Sequence, residues 1–204
     1  VIKIVEAPQG TGRRGGRVFS VPQVFHRPTP DAKFAGTRNA RSIALNLKSE
    51  RGLAVFRRLV ETADVIQEGF RPGVAERLGI GYEAVKAIKP DIVYASITGY
   101  GQNGPYAQRP GHDLNYLSVA GFIDMNGRAG GPPAIPGTVI ADYAAGGMSA
   151  AVHILAALLR RQRTGQGAYC DVSITDAAFE LGFILVDTYL ASGLEPRRGE
   201  TLTS

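Results

Sequence analysis

Cysteine is nearly absent. One residue, Cys170, in 204 excludes an internal disulfide framework and suits a reducing, cytoplasmic compartment. Long apolar runs are missing too. None reaches about 18 residues, so no membrane-spanning helix and no membrane partner are expected. The N-terminus, Val1-Ile2-Lys3-Ile4-Val5, lacks an initiator methionine and a basic region before an apolar core. It reads as the interior of a longer chain and not as a signal peptide. There is no zinc-ligand spacing and no aromatic–basic motif, so neither a metal site nor nucleic-acid binding is expected.

What is present fits one soluble domain of ordinary composition, 44% hydrophobic and 20% charged. The net charge of +5 is dispersed in small groups, Arg13-Arg14, Arg57-Arg58, Arg160-Arg161 and Arg197-Arg198. A polyanionic small molecule accounts for that excess, since phosphates are held by Arg and Lys. Cys170 sits in the strand-like Ala168-Tyr169-Cys170-Asp171-Val172. With no basic group beside it to form the thiolate, it reads as a core residue.

The patterning alternates strands with helices. Val1–Val5 and Ile43–Leu47 read as strands, separated by a Gly-, Pro- and Arg-rich loop over 7–40. Ser49 reads as the N-cap of a helix reaching Asp64. A strand over 65–67 follows, then a turn at 69–72, a short helix opened by Pro72 and a second over 82–88. A buried-type strand over 92–97 leads into the Gly-rich run 98–104. Further helices are expected over 114–122, 143–162 and 175–190, with a strand over 169–174. This order predicts an α/β fold with an open, mostly parallel sheet and flanking helices. Ligands of such sheets sit beyond the carboxyl ends of the strands, which singles out the loops at 67–72 and 98–113.

Several motifs carry candidate chemistry. Gly10-Thr11-Gly12-Arg13-Arg14-Gly15 matches G-x-G-x-x-G, but no convincing helix opens after it, so a dinucleotide site is not expected. Arg13 and Arg14 remain candidates for phosphate as side chains. His112, followed by Asp113 and Asn115 in a loop near strand ends, stands open between a surface role and a general base. His26 and His153 read as structural. Asp142 reads as a helix N-cap, kept ionised by the helix dipole and amide donors. Leu45-Asn46-Leu47-Lys48 and Gly69-Phe70-Arg71 each bring one cation to a predicted strand end, as the rim of an anion site would.

Taken in order, a set of segments resembles the class III CoA-transferase superfamily. They are Val1–Ile4, Arg41–Lys48, Ala63–Val65, Gly69–Tyr82 and Thr98–Tyr106, then Ile154–Leu158, Thr164-Gly165 and Asp171–Ser173. The resemblance runs along nearly the whole chain and is weakest over 9–40. Gly111-His112-Asp113-Leu114-Asn115-Tyr116-Leu117 is similar to the signature of the α-methylacyl-CoA racemase branch, whereas transferases usually lack that histidine.

The resemblance implies a Rossmann-like CoA-binding domain spanning 1–204, part of an interlocked homodimer, with family segments before Val1 and after Ser204. It implies a racemase acting on 2-methyl-branched acyl-CoA, with His112 and Asp142 as the acid–base pair. It also implies CoA contacts at Leu45, Asn46, Leu47, Lys48, Gly69, Phe70, Arg71, Arg77, Gly111, Asp113, Leu114, Asn115 and Tyr116, with Arg13 or Arg14 on the nucleotide phosphates. No cofactor is implied beyond the CoA of the substrate. Two departures stand out. The supporting glutamate of racemases would lie beyond Ser204, and the helix holding Phe179–Val186 lacks the methionines of the racemase acyl surface. The alternatives are a CoA-transferase with Asp142 as nucleophile, and a non-catalytic module binding CoA or nucleic acid.

Overall fold

The structure is a computed structural model of the chain and describes residues 2–6 and 41–200. The motif at 10–15, with Arg13 and Arg14, lies outside the described residues, as do His26 and the loop expected over 7–40. The chain falls into two compact units, Val1–Glu61 and Thr62–Ser204.

In the first unit, β1 (Ile2–Glu6) pairs in parallel with β2 (Arg41–Leu45), Ile4 opposite Ile43. The second strand thus ends two residues before the expected Leu47. The reason is local: Asn46 leaves the strand to make a turn, its carbonyl accepting from the Ser49 amide and its Oδ1 from the Lys48 amide at 3.0 Å. Ser49 caps α1 (Glu50–Glu61) as expected, its hydroxyl accepting the Gly52 amide.

In the second unit, β3 (Val65–Glu68), β4 (Val93–Thr98) and β5 (Ala168–Ser173) form a parallel sheet in that order. Between β3 and β4 come α2 (Val74–Arg77) and α3 (Tyr82–Ile88). The first begins at Val74, not at Pro72, because Gly73 enters the left-handed region and keeps Pro72 in the turn. After β4 come α4 (Asp113–Val119) and α5 (Phe122–Met125). The single helix expected over 114–122 is therefore two, broken where Gly121 adopts φ 86°.

A π-helical turn (Ile140–Gly147) then runs directly into α6 (Met148–Thr164), closed by Gly165. Past β5, the helix expected over 175–190 is likewise divided, at Gly182, into α7 (Ile174–Leu181) and α8 (Phe183–Ser192).

Strand alternation decides which helix covers which face of the sheet. Val93, Ala95, Cys170 and Val172 point to one side and pack on Ala150, Ile154, Ala157 and Leu158 of α6. Tyr94 and Tyr169 point to the other, where their rings meet Tyr82 of α3 at 6.0 and 5.0 Å between centroids. The Tyr94 hydroxyl is buried and donates to the Ile80 carbonyl, and its burial pushes the phenol pKa up. Cys170 is buried in the α6-facing cluster, and desolvation raises its thiol pKa. The core reading of this residue fits both observations.

Arg161 secures the far end of α6. It pairs with Asp64 at 2.7 Å and donates to the Asp64 and Asp91 carbonyls. The continuous helix Ile140–Thr164 is long and apolar enough, by length and composition, to cross a membrane. The sequence shows no unbroken apolar run there because Asp142 and His153 interrupt it. Ala150 and Ala157 of this helix pack on the sheet.

Candidate active site

The site is built from two helix starts. β4 ends at Thr98, and the chain loops through Gly99 to Gly111 before α4 begins. His112 is the N-cap of α4, in extended backbone, and its amide donates to Asn115 Oδ1 at 3.0 Å. The His112 side chain is exposed. One residue on, the Asp113 carboxylate crosses to the π-helical turn and accepts the Asp142 amide at 2.9 Å. Residues 29 positions apart in sequence are thereby joined, and His112 and Asp142 stand on either side of the junction.

Asp142 departs from the sequence expectation. Val139 is the N-cap, and Asp142 lies inside the π-helical first turn. Its carboxyl pKa is raised, not held low. Partial burial is the largest cause, the neighbouring Asp113 charge adds to it, and only His112 acts the other way. The widened turn matters because π-turns are rare and concentrate at functional sites.

Tyr116 forms the floor. It is buried, and its ring sits edge-on to Tyr100 with centroids 5.2 Å apart. Two glycines accept it closely: a Cβ on Gly99 would lie 2.3 Å from the ring, and one on Gly111 2.5 Å. Burial raises the Tyr116 phenol pKa, with Asp142 and then Tyr100 adding to the effect. The Gly99 carbonyl accepts from both the amide and the hydroxyl of Thr175, which locks this loop to α7.

A cleft of about 300 Å³ opens here, at the carboxyl end of the sheet. Gly69, Phe70, Arg71, Gly111, His112 and Tyr116 line it, so the loops singled out at 67–72 and 98–113 do meet. Thr98 and Arg109 line it too; both lie in the loop singled out over 98–113, though neither was named individually. Arg109 stacks over Tyr106 at 4.5 Å and sits three residues before His112, in Gln108-Arg109-Pro110, which was the available signal. Thr98 Oγ1 is buried with no hydrogen-bond partner among the described residues. Gln108 fastens the loop to the opposite rim by donating to the Pro72 carbonyl. The Phe70 amide is held by Glu68 Oε2 at 2.6 Å.

Within the second unit, other expected residues are not among the cleft lining. Arg77 is exposed on α2, Leu114 and Asn115 face outward on α4, and Asp142 is half-buried behind Asp113 and Tyr116. Leu45 is buried and Asn46 and Lys48 are exposed in the first unit. His153 bonds to the Ser149 carbonyl on its own helix, consistent with a structural role. A cavity of about 390 Å³ at the amino ends of β4 and β5 contains Tyr82, Lys86 and Asp91. It lies at the end of a parallel sheet that ligands do not favour.

These features define an α/β domain that sets a histidine and a half-buried carboxyl near a cleft lined by two arginines. Residues 1–203 match the sequence pattern of CoA-transferase family III, and the chain belongs to that family. It is 39% identical over 165 residues to alpha-methylacyl-CoA racemase of Homo sapiens, covering 81% of this chain and 43% of that protein. It is 40% identical over 162 residues to acetyl-CoA:oxalate CoA-transferase of Acetobacter aceti, covering 79% and 41%. A crystal structure of a CAIB/BAIF family protein from Brucella suis superposes with a TM-score of 0.74 at 38% identity, covering 78% of this chain and 42% of that one. The chain thus spans less than half the length of these relatives.

Proposed function

We propose that the whole protein inverts the α-carbon of 2-methyl-branched acyl-CoA thioesters by proton transfer between His112 and Asp142. The observation that carries this reading is the Asp113–Asp142 clamp, which ties the half-buried Asp142 to the residue next to His112, a residue of the cleft lining. A thioester carbonyl makes the α C–H a weak acid, so its removal needs a positioned base and donors for the enolate oxygen. Inversion needs a second group to return a proton on the other face. His112 takes the proton from one enantiomer while Asp142 returns one, and the roles exchange for the other enantiomer. A raised carboxyl pKa suits a group that must hold a proton for part of each cycle. Arg71 and Arg109 supply charge for the CoA phosphates. The chemistry needs no metal or redox group, and the protein acts as a cytoplasmic homodimer.

Transfer of CoA between carboxylates is the second reading, favoured by the similarity to a CoA-transferase at the same level of identity. There Asp142 attacks the thioester and His112 is incidental. The discriminating experiment gives the full-length protein one enantiomer of 2-methylacyl-CoA in deuterated water. α-Deuterium uptake with inversion, lost in both His112→Ala and Asp142→Ala, is the expected result. No exchange, but CoA passing to an added carboxylate through Asp142 alone, replaces it with the transferase.

A further inference from the structure

We propose that Asp113 is a positioning residue for Asp142, its carboxylate clamping the Asp142 amide so that the wide first turn stays docked on the head of α4 beside His112. The inference rests on the acid–base reading of those two residues. Its basis is geometric. Asp113 Oδ2 accepts the Asp142 amide at 2.9 Å in a part-buried setting. The π-helical turn leaves amides at its start without helical partners, and Asp113 satisfies the one belonging to the reacting residue. Because Asp113 immediately follows the N-cap His112, one side chain ties the backbone of both members of the pair.

The clamp has a second effect, through charge. Asp113 is held near Asp142, and its negative charge disfavours ionisation of the neighbouring carboxyl. His112 opposes this, and the Asp142 charge in turn raises the Tyr116 phenol pKa, after burial. Among the described residues, the other elements packed on the turn bring no competing charge. α7 meets it through Ile174, Ala177 and Ala178 and leaves Asp176 and Glu180 exposed. In α6 the ring of His153 is bonded to its own helix. Asp113 is thus the one carboxylate among the described residues placed to tune Asp142 as a proton donor.

Two substitutions in the full-length protein separate clamp from charge. Asp113→Asn keeps an oxygen to accept the Asp142 amide but removes the charge. Asp113→Ala removes both. In the exchange assay, Asp113→Ala should lower kcat at least tenfold with KM within about twofold, and Asp113→Asn should lose less. In both, the limb of the pH profile that depends on Asp142 should move to lower pH. The Asp142 carboxyl, assigned by comparison with Asp142→Asn, should titrate at lower pH by carbon-13 NMR in Asp113→Asn. That spectrum also shows whether each variant is folded.

An unchanged Asp142 titration in folded Asp113→Asn overturns the charge effect. Equal kcat in all three proteins, or a loss confined to KM, overturns the positioning role. If the unsubstituted enzyme exchanges no α-proton, the racemase reading fails on its own, while the NMR titration still decides the Asp113–Asp142 relationship.

Discussion

Asp113 Oδ2 holds the backbone amide of Asp142 at 2.9 Å, so the start of α4 and the start of the long helix leading into α6 are joined by one side chain. Everything at the site is arranged about that bond. His112 lies one residue before it, Tyr116 one turn after it, and the Gly99–Thr175 bonds brace the loop beneath.

Asp142 stores an electrostatic cost. Its folded-state pKa is raised, chiefly by burial and then by Asp113. A carboxyl whose folded pKa exceeds its unfolded one binds more protons when folded, so stability falls as pH rises through that window and stays lower above it. Asp142→Asn should therefore be more stable than the unsubstituted protein at pH 7. The advantage should vanish below the ordinary carboxylate range, where both forms are neutral. Urea unfolding at pH 7 and at about pH 3 checks the sign.

Gly99 and Gly111 should tolerate no side chain while Tyr116 is present. A Cβ at either would enter the Tyr116 ring. Gly99→Ala and Gly111→Ala should each cost about 1–3 kcal/mol by overpacking. In a Tyr116→Ala background the added cost of Gly99→Ala should shrink, and a double-mutant cycle measures that coupling.

Arg161 joins α6 to the starts of β3 and β4. Its side chain is 17% exposed and serves two backbone carbonyls as well as Asp64 and Asp91. The Asp64 carboxylate stays largely in water and Asp91 keeps Lys89 at 2.9 Å, so their loss of this partner is cheap. The carbonyls do not all have that recourse. Arg161→Ala should destabilise by about 1–3 kcal/mol, and added salt should recover little of it. Denaturant midpoints at low and high salt test this.

Arg71 and Arg109 flank the cleft from opposite loops. If they meet the CoA phosphates, Arg71→Ala and Arg109→Ala should each raise KM for acyl-CoA about tenfold, the worth of one charge-assisted hydrogen bond. Turnover at saturation should change far less. Steady-state kinetics across ionic strength should show a shallower salt dependence in each variant.

Much of this protein is legible in one dimension because it depends on near neighbours. β-Branched runs and helical spacing determine β1, β3, β4, β5, α1 and α3, the Ser49 cap, and hence a parallel α/β sheet with its loops of interest at the carboxyl ends. His112 and Asp142 stand out by residue type and by resemblance to a family.

Other features belong to contacts that sequence spacing does not encode. Gly121 and Gly182 divide helices whose apolar periodicity runs straight through them. The role of Asp142 changed most. Its place near a predicted helix start suggested an ionised cap, yet a π-turn, partial burial and the charge of a residue 29 positions away reverse the direction of its pKa. Burial and through-space charge are properties of the packed chain, so only the tertiary structure set them.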